Sequence, residues 1–110
     1  MSDPRMADRL EQLLKLHDAD PSDADLPYMI ALDYGKAGDT GSAIQWLDKT
    51  LSMNAHYHYA YFQKAKMLDE EGEEADALAV LEEGIAKATE AGDGKALGEL
   101  QELRLMMQDG

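Results

Sequence analysis

The chain has 110 residues, 45% apolar content with only 6% aromatics, no cysteine and a formal net charge of −13. That length allows one domain with a modest core, and the missing cysteines exclude disulfides, thiol nucleophiles and zinc–thiolate sites. The carboxylate excess argues against nucleic acid and anionic membrane surfaces, both of which are bound through Lys and Arg.

The spacing predicts a first helix over residues 4–18, with Asp3 as N-cap and Pro4 at the first helical position. Met6, Leu10, Leu13, Leu14 and Leu16 form its apolar stripe, which ends near His17. The polar stretch from Asp18 to Asp25 contains Pro21 and reads as a connection. A second helix is expected from about Asp25 to Ala37, with Pro27 in the first turn, where N–H groups have no intrahelical partner. Gly38 suits a left-handed C-terminal position, and Asp39 or Thr40 caps a third helix carrying Ala43, Ile44, Trp46, Leu47, Thr50 and Leu51.

A fourth helix is expected from His56 to Glu70, stopped by Gly72. The fifth, Glu74 to Ala91, carries Ala77, Leu78, Leu81, Ile85 and Ala88, and Gly92 closes it. Asp93 caps a sixth helix over 93–108, where Leu97, Leu100, Leu103 and Met107 recur at spacings of three and four. No segment alternates with period two, so no strand is expected. Short connections at Gly38, Gly72 and Gly92 make neighbouring helices antiparallel.

One offset organises these elements. A shift of thirty-four residues takes Ala31 to Ala65, Ala43 to Ala77, Tyr34 to Leu68, Gly38 to Gly72, Leu47 to Leu81 and Leu51 to Ile85. A period shared by small, bulky and turn positions is the signature of stacked repeats. The alanines let paired helices approach closely, while Leu47 and Leu81 fill the volume between a pair and the next unit.

On these residues the chain resembles the tetratricopeptide repeat family, whose pattern is W-x2-L-G-x2-Y, then A-x3-F, then P. Residues 24–57 and 58–91 form two full repeats, with Ala31, Tyr34, Ala43 and Leu47 in the first and Ala65, Leu68, Ala77 and Leu81 in the second. Residues 4–18 fit half a repeat, with Pro21 at the family's proline position, and 93–108 fit a capping helix. Pro27 and Tyr61 replace the tryptophan, Lys64 replaces the leucine, and Ala55 and Thr89 replace the proline. The fold implied is a right-handed, all-α solenoid of antiparallel helix pairs, about six helices in a single domain.

The resemblance also implies a concave groove lined by the first helix of each pair. Carried onto this chain, its positions are Asp25, Tyr28, Leu32 and Lys36, then Tyr59, Phe62, Lys66 and Asp69 or Glu70. Each set lies along one helix face. Such a groove holds a peptide by aromatic contact and charge pairing, so the expected function is a non-catalytic adaptor or scaffold with a protein partner. A family relative that binds chaperone tails clamps a terminal carboxylate with lysine and asparagine; Tyr28 and Leu32 stand at those places here. The alternative is a homodimer through the terminal helices, because Leu97, Leu100, Leu103, Leu105, Met106 and Met107 exceed what one helix face needs.

Other chemistry finds little support. His56 and His58 point about 200° apart on a helix and converge as ligands only from a loop or a helix start. A calcium loop starting at Asp18 requires glycine and glutamate at its sixth and twelfth positions, where Asp23 and Met29 stand. Gly92-Asp93-Gly94 has no preceding strand and reads as helix capping. No serine sits in a plausible arrangement with His and Asp, so no enzyme, metal or cofactor is expected. Trp46 and most of the seven methionines are expected in packing roles. With no long apolar run and no signal-peptide region after Met1, a cytoplasmic location is expected.

Overall fold

The computed structural model describes residues 4–109, and among them every regular element is a helix. The six are α1 (Pro4–Ala19), α2 (Asp25–Lys36), α3 (Thr40–Met53), α4 (His58–Glu70), α5 (Glu74–Ala91) and α6 (Gly94–Asp109). The expected cap Asp3, and the side chains of Pro4 and Met6, lie outside the described residues.

Three helix ends share one device. Gly38, Gly72 and Gly92 adopt φ of 85°, 82° and 69°, a left-handed conformation that carries a steric penalty for any residue with a Cβ. After each glycine, the next N–H returns to a carbonyl five residues earlier: Asp39 to Tyr34, Glu73 to Leu68 and Asp93 to Ala88, at 3.0, 2.9 and 3.0 Å. These bonds satisfy carbonyls that the ending helix leaves open and turn the chain sharply. Asp39 and Asp93 then start the next helices. Asp39 Oδ1 accepts the Ser42 N–H at 3.1 Å, and Asp93 Oδ1 accepts the Ala96 N–H at 3.0 Å.

The chain forms two compact units, one ending at Asn54 and one starting at Ala55. In the first, α2 packs against both α1 and α3. Its core is Ile30, Ala31, Ala43 and Leu47, each with no exposed surface, together with Leu13. In the second, α5 packs against α4 and α6, and α4 also reaches α6. Ala60, Ala65, Ala77 and Leu81 are wholly buried there, with Leu100, Leu103 and Met107 of α6 beside them. All four alanines of the thirty-four-residue offset are therefore core positions. The small side chains let the helix axes approach, and Leu47 and Leu81 supply the bulk.

Several local details differ from the sequence reading. The buried stripe of α1 runs through Leu13 and His17, one turn apart, which leaves Leu16 exposed. The helix continues to Ala19 rather than ending near His17. The His17 ring meets Trp46 edge-on at 5.3 Å, and Lys49 Nζ lies 5.3 Å from the same indole, so half-buried Trp46 does pack as expected. Asp33 is also buried within α2; Arg9 Nε on α1 reaches its carboxylate at 3.1 Å. In the second unit, α4 starts at His58 rather than His56. Tyr57 holds a non-helical conformation at the cap, and its carbonyl accepts the Ala60 N–H at 3.0 Å.

Candidate functional site

The expected site residues divide between the two units. On α2, Tyr28 and Leu32 are half-buried, while Asp25 and Lys36 at its two ends are exposed. On α4, Tyr59, Lys66, Asp69 and Glu70 are exposed and Phe62 is half-buried. The spacing of Tyr59, Phe62, Lys66 and Asp69 keeps them on one helix face.

That α4 face is not open along its whole length, because α6 leans against it. At one end His58, Tyr59 and Phe62 meet Ala96, Glu99 and Leu100 closely enough to leave no room for a water molecule. Further along, the helices part and enclose a cleft of about 330 Å³ lined by Phe62, Lys66, Glu99, Glu102, Leu103 and Met106. Phe62, Leu103 and Met106 supply the apolar walls. Lys66 stands on the α4 side, with Glu99 and Glu102 one turn apart on α6. The structure thus brings two expected residues, Phe62 and Lys66, into one concavity, and leaves Asp69 and Glu70 outside its lining.

The α6 wall was not among the expected site residues. Its one sequence signal was the surplus of apolar side chains, and Met106 is indeed 63% exposed, at the mouth of the cleft. Glu99 and Glu102 carried no signal at all. In a chain this acidic, two more carboxylates on a helix read as solvated surface.

The closed end of the face is held by a polar junction. His58 Nδ1 lies 3.2 Å from Asp93 Oδ2, while Asp93 Oδ1 caps α6, so one carboxylate ties the starts of α4 and α6. The cap bond from Ala96, opposed by partial desolvation and aided by His58, holds the Asp93 carboxyl below the ordinary aspartate range. His58 Nε2 is buried without a hydrogen-bond partner, and the His56 ring lies 6.3 Å from that of His58. Behind the face, Tyr61 donates its hydroxyl to the Ala55 carbonyl at 2.9 Å. Burial, then Glu83 and Glu90, pushes that phenol above its usual value. Among the described residues, no three His, Asp or Glu side chains converge as metal ligands, and no helix is long and apolar enough to cross a membrane.

Two solved structures share this fold. The crystal structure of MamA superposes with a TM-score of 0.77 at 19% identity, covering 81% of this chain and 52% of MamA. The tetratricopeptide repeat domain protein from Salinibacter ruber superposes with a TM-score of 0.71 at 24% identity, covering 79% of this chain and 97% of that one. The chain therefore spans about half the length of MamA. No protein-family model and no curated protein matches the sequence. The likeness shows the fold: an all-α helical repeat of the tetratricopeptide type.

Proposed function

We propose that this tetratricopeptide-type protein is a non-catalytic interaction module, and that it holds a peptide or partner helix on the exposed face of α4. The observation that carries this reading is the cleft of about 330 Å³ whose apolar walls are Phe62, Leu103 and Met106. A concavity with an aromatic floor and a few polar groups at its rim suits an anchor side chain from a partner. Tyr59, 47% exposed, extends the apolar face beyond the cleft. Asp25, Tyr28, Leu32 and Lys36 on α2 form the equivalent face of the first unit.

The test is selection of ligands from a random peptide library displayed on phage, followed by binding to variants. Met106→Ala, at an exposed position, and Phe62→Ala are expected to weaken the selected peptides by about tenfold or more each, as anchor contacts do. Met106→Ala is expected to melt with the wild type, which separates lost contact from lost fold. Peptides that bind both variants at full strength place the working surface elsewhere.

A second reading, a homodimer through the terminal helices, draws on the exposure of Leu105 and Met106, 59% and 63%.

A further inference from the structure

The charges around the cleft carry more than its shape does. In the second unit Arg104 binds Glu82 at 2.6 Å, and Lys87 and His56 approach Glu90 at 3.6 and 3.9 Å, so these cations are engaged away from the cleft. Lys66, Glu99 and Glu102 take part in no ion pair among the described residues. Two carboxylates on the α6 wall against the single Lys66 leave a net negative rim beside the apolar walls.

Resting on the interaction reading above, we infer that the α4–α6 cleft selects a cationic amphipathic segment, with one bulky apolar side chain in the cleft and Lys or Arg beside it on Glu99 and Glu102. The volume lies at the low end of the about 300–1,000 Å³ of ligand pockets, so it admits an anchor side chain rather than a whole helix. The rest of the segment must lie across the rim, where it meets the two glutamates. Lys66 on the opposite wall repels cations there, which orients the segment with its basic side toward α6.

The net charge of −13 decides among occupants. It attracts a basic segment from a distance and raises the rate of encounter. An acidic segment meets both the field of the whole chain and the two rim carboxylates. A second copy of this chain brings the same −13 and is repelled in the same way.

Three synthetic helical peptides test this. They share one leucine stripe and differ only in carrying Lys, Gln or Glu at the flanking positions. Fluorescence anisotropy of labelled peptide is measured against the full chain at low and high salt. The Lys peptide is expected to bind about tenfold tighter than the Gln peptide, with the advantage shrinking at high salt. In the Glu99→Gln/Glu102→Gln variant the Lys and Gln peptides should bind alike. A Gln or Glu peptide that binds as tightly as the Lys peptide overturns the charge selection and leaves the groove reading standing. A Lys preference that survives in the double variant overturns the role of Glu99 and Glu102. If none of the three binds, the groove reading itself fails.

Discussion

Gly84 has no room for a side chain: an added Cβ would lie 2.8 Å from Tyr61 Cβ and 2.9 Å from Tyr61 Cγ. Those atoms sit next to the α4 backbone and cannot swing aside, so the helices themselves must part. An alanine in mid-helix normally gains up to about 1 kcal/mol over glycine, whereas overpacking costs about 1–3 kcal/mol. The second effect wins, and Gly84→Ala is expected to lower the thermal midpoint by several degrees. A Tyr61→Ala background removes Cγ but keeps the Cβ at 2.8 Å, so the same change should cost less there without becoming free. Equal costs in both backgrounds, measured by a double-mutant cycle, would falsify the contact. Asp33 is a different compromise. Its carboxylate is 2% exposed and is tolerated because Arg9 reaches it from α1; thirty-four residues later the position holds Met67.

The helices begin and end by local chemistry. Asp39 receives both the N–H and the hydroxyl of Ser42, at 3.1 and 2.8 Å, and Asp93 receives the Ala96 N–H and His58. Both carboxyls are held below the ordinary aspartate range, Asp39 chiefly by Ser42 and Asp93 chiefly by the Ala96 N–H. A depressed folded-state pKa adds stability above the unfolded value, and that contribution is lost as pH falls through the folded one. The Asp39→Asn/Asp93→Asn variant keeps acceptor oxygens but loses this acid titration. Its melting point is expected below that of the wild type at neutral pH, with the gap closing under acid conditions; parallel curves across that window would argue against titrating caps. Caps and glycine turns were legible in the sequence because each is decided by residues within one turn of the chain. The core alanines were legible because small side chains recur at one offset. Buried His17 and Asp33 were not, since polar residues read as surface until a neighbouring helix supplies Trp46 or Arg9. Nor was the cleft. It depends on how far α6 leans from α4, and α6 departs from the repeat, with Glu99 where Ala65 predicts a small residue.

At the scale of the whole molecule, a stable dimer must bury about 1,200–2,000 Å² in total. Leu105 and Met106 are adjacent and exposed, but pairing two copies also brings together −13 on each side, which repels. Light scattering across a dilution series is therefore expected to report 12.1 kDa throughout. Twice that mass, falling on dilution, would favour the homodimer instead. The contact at Gly84 has a further meaning at this scale. A thirty-four-residue offset suggests units that can be exchanged, yet Pro27 and Thr50 in one become Tyr61 and Gly84 in the other. In the second unit the pair is one decision taken across two helices: a ring with a vacant place opposite. Transplanting Thr50's residue type to position 84 would put a Cβ where Tyr61 already stands. The copies have become dialects of one plan, and a single word borrowed from the first is enough to make the second ungrammatical.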